Sequence, residues 1–218
     1  MKGAAAAALA LLLPAAAACD APASEPRELH LITPLPLLFG EQFGLDSEKA
    51  AVGQWLEQRF RLNAIDLPSQ APAGGLLLMV QPRALPAEEL VALDAWVRGG
   101  GRLLLLADPR LEWPSERPLG DPLRAPPMFA DTGLLGHWGL RLDAPEASGE
   151  EVVDGVRFVS PGRLVRTGGT CAIEDGLVAA CRIGRGTAIV VADADWLMNR
   201  HFAANRARLA ELLNRLAR

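Results

Sequence analysis

Hydrophobic positions along the chain change their period several times, and each change marks an element. Residues 85–110, LPAEELVALDAWVRGGGRLLLLADPR, hold the clearest transition. Leu90, Leu93, Trp96 and Val97 recur at three- and four-residue spacing, which draws one apolar stripe along a helix. Pro86 at a first helical position, Glu88 and Glu89 in the first turn and Arg98 in the last all suit the helix dipole. Gly99, Gly100 and Gly101 end the helix, and residues 103–107 then run apolar without a break. That run is too short to cross a membrane and too apolar for a half-exposed strand, so it predicts a buried parallel strand covered on both faces. The chain turns polar at Asp108, Pro109 and Arg110, at the carboxyl edge where open α/β sheets place ligands.

The rest of the pattern extends this unit. Residues 28–33, ELHLIT, alternate and predict a first strand stopped by Pro34 and Pro36. Leu37, Leu38 and Phe39 are too apolar for a solvated loop and are expected to pack on the carboxyl edge. Asp46 or Ser47 caps a predicted helix to about Phe60, with Val52, Trp55, Leu56 and Phe60 on one face. Strands follow at 62–67 and 75–80, joined by PSQAPAGG in place of a helix. Residues 111–127 contain five prolines and no periodicity, which predicts a long surface excursion. A short helix at 129–138 and a strand at 140–142 come next. Short strands at 152–156, 163–166, 171–174 and 177–183 predict a small antiparallel β-rich insertion at about 151–183. Residues 187–192 repeat the buried-strand pattern, and a helix from about 203 carries Ala207, Leu209, Leu212, Leu213 and Leu216 on one face. The expected fold is α/β, a mainly parallel sheet flanked by helices, in a single domain over 28–218.

Composition bounds the function. With 218 residues, 50% hydrophobic, and 22 basic against 26 acidic side chains, the chain can bury one substantial core. Its net charge of −4 leaves no basic footprint, which excludes nucleic acid as a partner. Residues 1–19 begin with Lys2, run apolar through Leu13, break at Pro14 and end in small residues, the anatomy of a secretory signal. Ala16, Ala17, Ala18 and Cys19 resemble a bacterial lipobox, with Ala16 where leucine is usual. Two readings follow: lipidation at Cys19 with a membrane anchor, or plain cleavage after the same alanines. Either way the chain is expected to be exported and periplasmic, with residues 20–27 as a tether.

Cys171 and Cys181 remain inside the domain, as a disulfide or as two buried thiols. A two-residue turn at Asp175 and Gly176 would pair Cys171 with residue 180, so a bond to Cys181 needs a longer loop. No CxxC or Cys/His cluster exists, and neither metal nor cofactor is expected.

Fold the sheet this way and Glu41, Asp108, Asp193 and Asp195 gather on one edge, with Asn199, His201 and Asn205 following on the same side. Such groups suit ligand recognition, and carboxylates with a histidine also suit a hard cation or acid/base work. They equally suit the capping and bracing of turns. Nucleophiles are missing from the expected places. There is no GxSxG elbow, and the strand-to-helix turn reads Ala107, Asp108, Pro109 where amidotransferase-like sheets need cysteine. Ser47, Ser69, Ser115, Ser148 and Ser160 lie in turn-rich contexts, and His30 and His137 read as packed or surface residues. GGGR at 99–102 precedes a strand and is no phosphate loop.

The segment LVALDAWVRGGGRLLLLADPR at 90–110 resembles the part by which gliding-motility-type auxiliary proteins of ABC transport systems are recognised. GRGTAIVVADADWLMNRHFAANRARLAELLNRL at 184–216 and ITPLPLLFGE at 32–41 resemble a related family of unknown function. That resemblance implies an amidotransferase-like, flavodoxin-like sandwich without the catalytic cysteine. It would serve as a non-enzymatic accessory or ligand-binding module at the cell envelope, beside an ABC transporter permease and ATPase. Alternatives are a carbohydrate-binding module stacking a glycan on Trp113, Trp138 or Trp196, and a metal-dependent hydrolase using Asp108, Asp193, Asp195 and His201.

Overall fold

The computed structural model describes residues 26–41 and 49–217. The signal segment with Cys19, most of the tether and the helix cap expected at Asp46 or Ser47 lie outside the described residues. Eleven strands and four α-helices follow in the order β1 (Glu28–Ile32), α1 (Ala51–Glu57), β2 (Arg61–Ala64), β3 (Leu76–Val80), α2 (Ala87–Arg98), β4 (Arg102–Leu106), α3 (Leu134–His137), β5 (Leu140–Asp143), β6 (Glu150–Val153), β7 (Val156–Val159), β8 (Arg163–Arg166), β9 (Ala172–Glu174), β10 (Val178–Ile183), β11 (Gly186–Val191) and α4 (Asn199–Leu216).

Seven of the strands form one sheet in the order β2-β1-β3-β4-β11-β10-β9. β4 and β11, the two most apolar runs after β3, lie side by side and parallel, with Leu103 beside Ala188 and Leu106 beside Val191. Alternate residues feed two cores. Leu104, Leu106, Ile189 and Val191 face α1 and α4, while Leu103, Leu105, Ala188 and Val190 face α2 and α3. Each such fully buried leucine or isoleucine contributes about 1.5–3 kcal/mol by leaving water. Close approach also constrains the edge: a Cβ on Gly186 would lie 2.0 Å from the Val97 carbonyl oxygen, so α2 can pack against the start of β11 only because residue 186 is glycine.

This architecture corrects the expectation of a mainly parallel, helix-flanked sandwich of amidotransferase- or flavodoxin-like type. The sheet is mixed, since β10 pairs antiparallel with both β11 and β9. The second face is covered by α2, the four-residue α3 and an antiparallel β5–β8 ribbon, in place of a full helical layer. The cause is local. Ile183 pairs with Gly186 across Gly184 and Arg185, and a two-residue turn can join only antiparallel neighbours. The strands expected as one insertion are accordingly divided: β9 and β10 extend the main sheet, β8 pairs with β5, and β6 and β7 form a separate hairpin. That hairpin turns on Asp154 and Gly155, both at positive φ, and splits what the hydrophobic pattern predicts as one strand at 152–156. α1 ends at Glu57, three residues before Phe60, while α4 begins at Asn199, four residues before the predicted start.

Cys171 and Cys181 form a disulfide. The β9–β10 turn holds three residues, Asp175, Gly176 and Leu177, so Glu174 faces Val178 and the register brings position 171 opposite 181.

Candidate functional site: a buried acid cluster at the carboxyl rim

Because β4 and β11 are parallel neighbours, the residues that leave their carboxyl ends arrive together. Asp108, Asp193 and Asp195 have carboxylate oxygens within 4.8 Å of one another, and all three residues are fully buried. The polar turn after each apolar strand puts them there: the strand ends at Leu106 or Val191, one alanine follows, and an aspartate closes the rim.

Each acid holds backbone. Asp108 accepts the Arg110 amide on Oδ1 at 2.8 Å and the Ala194 amide on Oδ2 at 2.9 Å. Asp193 accepts the Val159 amide on Oδ2 at 2.6 Å and the Trp196 amide on Oδ1 at 3.2 Å. Asp195 accepts the Glu112 amide on Oδ2 at 2.5 Å, while its Oδ1 is buried without a partner. The cluster therefore ties four stretches to one point: the turn after β4, the proline-rich loop, the end of β7 and the turn into α4.

Burial raises the Asp108 pKa even though amide donors pull it down. Burial, with the neighbouring Asp108 charge, lifts Asp193 well above the carboxylate range. The same two causes push Asp195 up to about 8, against the hydrogen bond from the Glu112 amide, while the Glu112 side-chain charge acts in the upward direction. Three charges cannot share so small a dry volume, and the group therefore keeps protons at neutral pH. This is the one cluster among the described residues whose ligating atoms lie close enough for a cation. Five amide hydrogens already point at its oxygens, and the geometry is that of a hydrogen-bonded acid cluster.

The other sequence-selected residues lie elsewhere. Glu41 accepts the Glu116 amide at 2.9 Å and, through its carbonyl, the Arg117 guanidinium at 2.7 Å, so it anchors the proline-rich loop. Asn199 accepts the Ala51 amide at 2.9 Å and serves the first turn of α1. Asn205 is buried and bridges the backbone of Arg157 and Trp196. His201 receives a bond from Arg200 and faces Glu150 at 3.5 Å, and burial with the Arg200 charge lowers its pKa. Trp138 and Trp196 are interior and offer no stacking face.

Two residues escape a reading of the sequence. Gln81 is fully buried at a φ of 47° and clamps the backbone of Asp108, accepting its amide at 2.9 Å and donating to its carbonyl at 3.1 Å. It also donates to the Pro126 carbonyl at 3.1 Å, closing the far end of the loop. The available signal is a polar side chain directly after five apolar strand residues. Ser160, also at a φ of 47°, donates to Glu112 Oε1 at 2.5 Å and accepts the Gly149 amide at 3.0 Å. It lies in the wall of an open cleft of about 520 Å³, together with Asp143, Glu146, Glu150, Glu151 and Arg163. Its turn context conceals it.

Residues 45–213 match the model of the family described as Domain of unknown function (DUF4350), and the chain belongs to that family. No curated protein matches the chain. Among solved structures, the mmIFT52 N-terminal domain is similar with a TM-score of 0.54 at 10% identity, over 86% of this chain and 95% of that one, a likeness of fold alone. The exo-beta-1,4-mannosidase Op5Man5 from Opitutaceae bacterium strain TAV5 gives a TM-score of 0.47 at 14% identity over 89% of this chain. This chain spans only 36% of that mannosidase. The cytoplasmic protein STM3548 from Salmonella typhimurium gives 0.45 at 11% identity, over 84% and 98% of the two chains.

Proposed function

We propose that this member of the DUF4350 family is a non-enzymatic, exported accessory module of the cell envelope, anchored through Cys19 and serving an ABC-type transport system of the gliding-motility kind. The observation that carries the reading is the condition of the carboxyl rim. Open sheets of this kind do chemistry there, yet here the rim acids are buried and engaged with backbone amides. A rim filled with braces is a platform for loops.

Those loops offer surface for a partner. Phe39 is 73% exposed, Leu119 77%, Met128 61% and Leu123 58%, and Arg117 ties the first loop to the second through the Glu41 carbonyl. The segment that resembles the transporter auxiliary proteins falls on α2–β4, and one that resembles the related family of unknown function falls on β11–α4, the elements that build the platform. Photocrosslinking tests the reading, with a photoreactive amino acid at position 119 or 123 of the full chain in its own membrane. A discrete adduct with a permease or ATPase subunit is expected. Membrane-bound protein that forms no adduct from either position contradicts the proposal, as does turnover of a glycoside or ester that Asp108→Asn abolishes without unfolding the chain.

A further inference from the structure

The acid cluster does more than hold the sheet edge. The loop residue whose amide Asp195 grips, Glu112, is the same residue whose side chain receives the Ser160 hydroxyl. The amide that Asp193 grips belongs to Val159, one residue before Ser160. Ser160 in turn holds Gly149 by two bonds, its amide to the Gly149 carbonyl at 2.6 Å and its Oγ to the Gly149 amide at 3.0 Å. Ser160 and Gly149 both line the open cleft beside the rim. Two buried carboxyl groups thus set the position of this part of the cleft wall through one hydrogen bond each.

We infer that Asp108, Asp193 and Asp195 form a proton-held latch, which fastens the proline-rich loop at Glu112 and the turn at Val159 and Ser160 while the cluster is protonated, and frees both when its protons leave. The charged groups facing the cluster agree with this direction. From β4 and the loop after it come Asp108 itself and Glu112, whose carboxyl has Arg110 at 3.9 Å. From β11 and its turn come Asp193 and Asp195. From α4 comes Arg200, a cation that acts on Asp195, and its Nε is engaged with His201 at 2.8 Å. From the turn after β3 comes Gln81, which is neutral. Removing protons therefore places like charges together with little to offset them, and local opening is the route by which water reaches them. The inference concerns the cleft's shape and holds whether or not a transporter is the partner.

Hydrogen exchange of the full chain tests it, read at the Glu112 and Val159 amides after correction for intrinsic exchange. Between a carboxyl's ordinary pKa and its raised value in the closed cluster, the opening equilibrium grows by up to about tenfold per pH unit for each proton released on opening, and it levels off above the raised value. Protection at both amides is expected to fall about tenfold or more between about pH 6 and about pH 9, while the β3 and β4 amides stay protected. In Asp195→Asn, whose amide oxygen still accepts from Glu112 and cannot ionise, the Glu112 fall should shrink to less than about twofold. Unchanged protection in the wild-type chain, or loss shared by every strand, overturns the latch. Should Asp195→Asn not fold, infrared spectroscopy of the wild type decides: a buried carboxylic-acid carbonyl band present near neutral pH and lost together with Val159 protection supports the latch, and its absence near neutral pH refutes it.

Discussion

The Asp195 carboxyl accepts the backbone amide of Glu112 at 2.5 Å across a sequence separation of 83 residues. One fully buried side chain thereby decides where a five-proline loop meets the sheet. The loop has no periodic apolar stripe to place it, so its position depends on discrete hydrogen bonds: Asp195 and Glu41 near its start, Gln81 at its end. Hydrogen bonds to a buried acceptor are costly to lose, because the amide left behind is desolvated and unpaired.

Stability should fall as pH rises. Asp195 is raised from 3.8 to about 8 by burial and the Asp108 charge. A raised carboxyl holds its proton in the folded chain after the unfolded chain has lost it. Its contribution is full below 3.8 and is lost as pH climbs through about 8. Glu174 acts in the opposite sense. Burial pulls its pKa up, but Arg208 and Arg215 bring the net value down, so its contribution is present above the unfolded value and lost on acidification. Urea unfolding of wild type and Asp195→Asn across this range isolates the first effect. The wild-type advantage should decline by at most about 1.4 kcal/mol per pH unit and level off above the folded pKa.

Reduction should weaken the sheet's antiparallel edge. The Cys171–Cys181 bridge closes a loop of ten-residue separation between β9 and β10. Chain entropy alone assigns such a loop about 3 kcal/mol. Unfolding with and without reductant, and of Cys171→Ser with Cys181→Ser, should show a loss of that order, and an unchanged denaturation midpoint would refute it.

Gly186→Ala should be severely destabilising, by more than about 3 kcal/mol, because its Cβ would meet backbone oxygens of Val97 and Gly101 at 2.0 and 2.3 Å. Gly136→Ala is the control. It lies in α3 with nothing within 4 Å of the place its new methyl group would occupy, and the helix gains about 0.5–1 kcal/mol from alanine. Thermal unfolding of the two variants should therefore move in opposite directions.

Much of the framework is legible in the sequence because it rests on uninterrupted apolar runs. LLLMV and RLLLL in β3 and β4 bury nearly every residue, and a polar turn after β4 and β11 places Asp108, Asp193 and Asp195 at one rim. What misleads is turn chemistry. Gly184 and Arg185 look in sequence like a lead into β11, whereas they reverse the chain and make the sheet mixed. Asp154 and Gly155 merge by pattern into a strand that they in fact divide. For the site, charge and position in sequence group Glu41, Asn199 and His201 with the aspartates, yet their contacts go to the proline-rich loop, to α1, and to Arg200 with Glu150. Gln81 and Ser160 act through backbone geometry at positive φ, which leaves little trace in composition.

The central claim is that the rim acids hold the fold, and the unfolding free energy of Asp193→Ala tests it most directly. Asp193 joins the Val159 and Trp196 amides, so its removal strands two donors and should lower stability by about 1–3 kcal/mol per donor left unpaired. Residues kept for chemistry or ligand capture behave otherwise, since strained and like-charged groups at such sites are commonly retained at the expense of stability. An Asp193→Ala variant as stable as the wild type, or more stable, would contradict the account.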